Sequence, residues 1–199
     1  SMLKTVSIAN KKSRTNPDDA PHDEYQYLNL VSDVITDGFD EVGRNGSVKC
    51  VYGAAMHFSL EEGVIPILTT KRTAWKTCLK ELLWFIQGKP DNKILNDQNV
   101  RIWDANCTPE FLESRNLSNL APGDLGPLYG FQWRHFNAPY RGCDADYTGE
   151  GVDQLQQAID ILRDPAQRTS RRIIVSAWNP CQVDEGVLPS CHNFFQFNV

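Results

Sequence analysis

Between Thr73 and Gln87 the chain has little choice of structure. Trp75, Leu79, Leu82 and Ile86 recur at helical spacing, while Leu83, Trp84 and Phe85 carry apolar surface around the remaining sides. A helix that is apolar all round predicts a buried position. Glu81 lies within it, and a carboxylate there is costly unless it is paired, protonated or linked to water. A structural partner such as Arg72 or Lys71 and a role in proton transfer are equally open for Glu81.

The remaining elements are expected to close around that helix. Leu28, Val31 and Ile35 predict a first helix from Tyr25 to Thr36, with Gly38 as its stop. Val48 to Tyr52 and Met56 to Leu60 read as short, bent strands separated by Gly53. Leu155, Ile159 and Leu162 predict a further helix ended by Asp164-Pro165. Ile173 to Trp178 and Phe194 to Val199 read as buried strands. At 199 residues and 41% hydrophobic, one globular domain with helices and sheet on a common core is expected over 22–199. Residues 1–21 read as a polar extension or linker, because a proline-containing polar stretch cannot bury enough surface to order itself. Phe195, Phe197 and Val199 alternate up to the last residue with no turn behind them, so a further C-terminal segment is expected after Val199.

Charge and cysteine usage narrow the function classes. A net charge of −5 argues against a surface that tracks nucleic-acid phosphates, which leaves room only for a local anion site. The six cysteines are far apart, with neither a CxxC pair nor metal-ligand spacing, so no metal is expected and reduced thiols in the cytoplasm, or the nucleus, are favoured. No run of 18 apolar residues is present to span a membrane.

Cys191 stands between Pro189 and a predicted strand, where a side chain can be held at the rim of a sheet. Composition alone favours an inert cysteine. His192 is adjacent, but neighbours in extended chain point to opposite faces, so it is a poor base for Cys191. Arg171 and Arg172 precede a predicted strand; their planar forks suit phosphate, and their charge would favour a thiolate. The stretch from Gly123 to Gly130 is rich in turn residues and carries Tyr129, one of several aromatics able to wall a pocket for a planar ligand.

Together, Leu68-Thr69-Thr70-Lys71, Glu81 to Phe85, Ile102-Trp103-Asp104, Gly123 to Arg134, Ser170 to Ile174, Ala177-Trp178-Asn179 and Cys191-His192 resemble the thymidylate synthase family in identity and in order. The resemblance runs from about Tyr25 to Val199. It implies an α+β fold, a mixed sheet flanked by helices, with the sheets of two subunits packed together in a homodimer. It implies reductive methylation of dUMP to dTMP, with 5,10-methylenetetrahydrofolate as one-carbon and hydride donor. Cys191 is then the nucleophile at C6, and Glu81 and Tyr129 assist proton transfers. Arg44 binds the dUMP phosphate, Arg171 and Arg172 reach the phosphate in the other subunit, and His192 organises the nucleotide site. Ile102, Trp103 and Asn106 line the folate pocket, and Lys71 meets the glutamate tail of the folate.

Two departures from the family pattern stand out: Asn45 to Cys50 replaces a Thr/Gly-rich loop after Arg44, and Ser190 replaces the proline before the nucleophile. The family places further phosphate, uracil and folate contacts after the segment ending at Val199, so these 199 residues alone are expected to be inactive. Alternatives are a pyrimidine hydroxymethylase of the same fold, a degenerate dimerisation or regulatory paralogue, and the synthase part of a fusion with dihydrofolate reductase. Retention of Glu81, Cys191, Arg171 and Arg172 argues against the paralogue.

Overall fold

The computed structural model describes residues 21–43 and 46–199. Nearly all of the predicted extension and Arg44 therefore lie outside the described residues. The chain forms two compact units that divide between Thr73 and Ala74.

In the first unit, helix α1 spans Tyr25–Asp37, one residue longer than predicted, and stops at Gly38, whose N–H bonds to the Val34 carbonyl at 3.1 Å. Strands β1 (Phe39–Gly43) and β2 (Gly46–Cys50) form an antiparallel hairpin, with Phe39 opposite Cys50 and Gly43 opposite Gly46. Two expectations are corrected here. The strand placed at Val48 to Tyr52 is β2, shifted toward the N-terminus because β1, which the apolar pattern did not reveal, offers it a partner. Met56 to Leu60 is not a strand, since side chains satisfy its backbone instead. His57 N–H donates to Gln26 Oε1 at 2.9 Å, Gln26 Nε2 donates to the His57 carbonyl, and Ser59 N–H donates to Asp23 at 2.9 Å.

In the second unit, α2 (Trp75–Gln87) ends at Gly88, which takes the left-handed conformation (φ 72°) that terminates helices without a side-chain penalty. Two short helices follow, α3 (Lys93–Asn96) and α4 (Pro109–Ser114); Thr108 caps α4 by accepting from Phe111 N–H, with Pro109 in the first helical position. Helix α5 covers Gly130–His135. Helix α6 (Gln154–Arg163) begins at Asp153, which accepts from Gln156 N–H at 2.9 Å, and ends at Asp164, held extended before Pro165. Strands β3 (Ile174–Ser176) and β4 (Phe194–Gln196) pair antiparallel, with Val175 opposite Phe195. The core joins Trp84 and Phe85 of α2 to Leu95, Leu112, Leu125, Ile173 and Val175.

Three further expectations change. Helix α2 is buried along one stripe, at Trp84 and Phe85, whereas Leu79 and Leu82 are each 46% exposed. The described residues pack one side of that helix, and an all-round apolar helix needs cover on every side. Strands β3 and β4 are not buried on both faces: Val175 and Phe195 point into the core, while Ile174 and Phe194 point outward, as period-2 alternation requires when one face is packed. Both strand pairings are antiparallel, so among the described residues the helices accompany two small antiparallel sheets rather than one mixed sheet.

Candidate active site

The site in the second unit begins with a close approach of two helices. A Cβ on Gly130 would lie 2.1 Å from the Phe85 carbonyl oxygen, so glycine at the start of α5 is what lets α5 meet α2. Arg134 then locks the pair. Its guanidinium donates to the Ile86 carbonyl at the end of α2 at 3.1 Å and holds Asp153 at 2.9 Å. Tyr129 stands at the junction with φ 34° and ψ −97°, a backbone conformation rare for any residue with a side chain. That turn delivers its ring against the ring of Phe85, stacked at 4.7 Å.

Around Tyr129 the fold gathers four of the sequence-predicted residues. His192 packs on the Tyr129 ring at 4.3 Å, and Trp103 meets the same ring edge-on at 6.0 Å. Trp103 Nε1 donates to Glu81 Oε1 at 2.8 Å, which provides Glu81 with a partner that is neither Arg72 nor Lys71. Cys191 is exposed, and its backbone N–H donates to Tyr129 Oη at 2.8 Å. The nucleophile candidate, the carboxylate and the phenol thus belong to one aromatic cluster.

Electrostatics follow from that packing. Burial pushes the Tyr129 phenol up to about 12, opposed by the Cys191 N–H bond and reinforced by the nearby Cys191 and Glu81 charges. Tyr129 therefore stays protonated at neutral pH, with its hydroxyl proton available while a lone pair accepts from Cys191 N–H. Desolvation lowers the His192 pKa, and the Glu81 charge offsets part of that change. His192 shares no hydrogen bond with Cys191 among the described residues, in keeping with its poor placement as a base for the thiol.

The other predicted residues are distributed more widely. Ile102 is exposed beside buried Trp103, and Asn106 closes the short turn Asp104–Asn106 with its N–H bonded to the Trp103 carbonyl at 2.9 Å. Arg171 and Arg172 are exposed at the entry to β3; among the described residues their side chains join no ion pair, and no bond connects them to Cys191. Lys71 lies in the first unit, where Nζ donates to Tyr27 Oη at 3.2 Å. Ser190 is buried, and its hydroxyl donates to the Ala177 carbonyl at 3.4 Å, a tether between the Cys191 turn and the strand end that proline would not supply.

Residues that the sequence did not single out support the cluster. Phe85 forms its floor, hidden in sequence among the apolar residues of α2. Gln132, Asn179 and Gln182 form a buried amide network: Asn179 Nδ2 donates to Gln132 Oε1 at 3.2 Å and Gln182 Oε1 at 3.0 Å, and Gln182 Nε2 donates to the Ala138 carbonyl at 2.9 Å. The available signal was a glutamine between Phe131 and Trp133, which on a buried helix must find amide partners.

The thymidylate synthase family profile matches residues 25–199. The chain is 49% identical over 181 residues to a thymidylate synthase of Agaricus bisporus, covering 89% of this chain and 60% of that protein. It is 48% identical over 179 residues to a bifunctional dihydrofolate reductase-thymidylate synthase of Zea mays, covering 89% of this chain and 34% of the relative. A thymidylate synthase of Bos taurus is 43% identical over 193 residues, which are 96% of this chain and 54% of the bovine protein. The chain thus spans about a third to three fifths of the length of these relatives. The profile match over most of the chain, together with the Glu81, Tyr129 and Cys191 cluster, establishes that the chain belongs to the thymidylate synthase family.

Proposed function

We propose that the whole protein is a cytoplasmic homodimer that converts dUMP to dTMP, taking both carbon and hydride from 5,10-methylenetetrahydrofolate. The observation that carries this reading is the exposed Cys191 thiol at a turn pinned by Tyr129 Oη, in the aromatic cluster that holds Glu81. Cys191 adds as thiolate to C6 of the pyrimidine, and the electron pair of the C5–C6 double bond moves to make C5 nucleophilic. 5,10-Methylenetetrahydrofolate supplies the one-carbon unit and the hydride. Glu81, held by Trp103, orders the water that removes the proton from C5, and Tyr129 donates a hydrogen bond to that network through its protonated phenol. Expulsion of Cys191 restores the double bond at the end of the cycle.

The residues present suit these ligands. Exposed Ile102 next to Trp103 offers an apolar wall for a planar pterin, and Asn106 offers an amide beside it. His192, neutral and packed against the Tyr129 ring, helps to orient the nucleotide. Arg44 and Lys71 take the phosphate and the folate tail by analogy with the family. Arg171 and Arg172, exposed and without an ion pair among the described residues, serve the phosphate of a second subunit, which would seat the outward face of β3 and β4, bearing Ile174 and 62%-exposed Phe194, against its counterpart.

The test is mass spectrometry of the full-length protein after incubation with 5-fluoro-dUMP and methylenetetrahydrofolate, beside Cys191→Ala. A ternary adduct on Cys191, absent in the variant, supports the reading. No adduct from a folded dimer overturns it and leaves the degenerate paralogue.

A further inference from the structure

Glu24 precedes α1 and is 7% exposed, yet has no catalytic assignment. Its carboxylate accepts four hydrogen bonds from one loop: Thr69 N–H at 2.8 Å, Thr69 Oγ1 at 2.6 Å, Thr70 N–H at 2.9 Å and Thr70 Oγ1 at 2.7 Å. Three residues further along, Tyr27 shares the same helix face. Its hydroxyl accepts from Lys71 Nζ at 3.2 Å, and Lys71 Nζ lies 5.2 Å from the centre of its ring. One turn at the start of α1 thus fixes both the backbone before Lys71 and the ammonium at its tip. Two of the four bonds come from consecutive backbone N–H groups, so the charged acceptor fixes the loop backbone itself and not only its side chains.

We infer that Glu24 is a positioning residue for folate binding: it holds the Thr69-Thr70 backbone so that Lys71 is presented to the glutamate tail. The inference rests on the assignment of Lys71 to that tail. Chemistry distinguishes the variants. A glutamine at 24 keeps one oxygen for three of the donors, and the Thr69 hydroxyl can turn to accept from the new amide, so Glu24→Gln keeps the loop in place. Glu24→Met, of similar length, leaves both backbone N–H groups without an acceptor.

The experiment measures KM and kcat of the full-length enzyme for monoglutamylated and polyglutamylated methylenetetrahydrofolate in the wild type, Lys71→Ala, Glu24→Met, Glu24→Gln and Thr70→Val. The expected result is that Lys71→Ala and Glu24→Met each lose the preference for the polyglutamylated form. For Glu24→Met the change falls on KM for that form, about tenfold (~1.4 kcal/mol), with kcat retained. Glu24→Gln keeps the preference, and Thr70→Val loses a smaller part of it, which reads the same loop if Glu24→Met fails to fold. Loss in Lys71→Ala with the preference intact in Glu24→Met and Thr70→Val overturns the role of Glu24 while leaving that of Lys71. An unchanged preference in Lys71→Ala overturns the tail assignment and the inference with it. An equal fall in kcat for both folates in Glu24→Met marks Glu24 as merely structural and also refutes it.

Discussion

Gly130→Ala tests whether the α2–α5 contact shapes the site. The added Cβ would lie 2.1 Å from the Phe85 carbonyl oxygen and 2.6 Å from both its carbonyl carbon and its Cα. All three are backbone atoms, so no rotamer change relieves the clash, and the helices must separate by about 1 Å to reach a tolerable contact. Overpacking of this kind costs about 1–3 kcal/mol. Separation also opens the Phe85–Tyr129 stack, now at 4.7 Å, a contact of the kind worth about 0.5–1.5 kcal/mol. Together the loss is about 1.5–4.5 kcal/mol, read as a lower urea midpoint with an unchanged m value. Displacing Tyr129 and Glu81 by the same amount slows formation of the Cys191 adduct by on the order of 100-fold. Gly43→Ala is the control, because the nearest atom to its added Cβ is the Gly46 carbonyl oxygen at 3.9 Å. If Gly130→Ala stays within about 0.5 kcal/mol of the wild type, a change typical of an open surface site, the argument from close approach is wrong.

Three other outcomes are expected. Tyr129→Phe keeps the stack but removes the acceptor for Cys191 N–H, so urea unfolding shows a loss of about 1 kcal/mol, and adduct formation slows by more than that loss alone accounts for. Glu24 bears on acid stability: the Thr69 and Thr70 hydrogen bonds lower its pKa from 4.5 to about 2, so its contribution is complete above the unfolded value and is lost as pH falls through 2. Stability measured from pH 5 down to 2 therefore declines less steeply in Glu24→Gln than in the wild type. Alkylation by iodoacetamide at pH 8, followed by peptide mapping, labels exposed Cys191 well before Cys107 and Cys143. Cys107 is buried, and burial together with the carboxylates of Asp124, Asp91 and Asp144 pushes the Cys143 thiol up to about 12; equal labelling of the three would refute this order.

Local patterns were legible where they were complete within a few residues. The Leu28, Val31, Ile35 stripe and Gly38 delimit α1, and Asp164-Pro165 stops α6 because a residue before proline avoids the helical region. Hairpin β1–β2 was half missed, since Phe39–Gly43 has just two apolar side chains and both face solvent. The apolar surface of α2 specifies a helix but not its burial, because periodicity describes the helix and not the number of neighbours it finds. Spacing also gave no metal pattern, whereas folding brings ligand-type atoms of Asp91, Cys143 and Asp144 within 4.8 Å of one another.

The candidate site divides along the same physical line. Ordered motifs assign the chain to its family and mark Glu81, Tyr129 and Cys191 as the candidates for its chemistry. Their partners could not be read that way. Glu81 finds its donor in Trp103, 22 residues later; Tyr129 accepts from Cys191 N–H, 62 residues later; Glu24 grips Thr69, 45 residues later. Side-chain periodicity carries information across three or four residues, whereas these bonds depend on how whole loops close, which is settled when the helices pack. The candidate residues were therefore written in the linear order of the chain, whereas the contacts that hold Tyr129 and Lys71 came from the approach of α5 to α2 and of one loop to the start of α1.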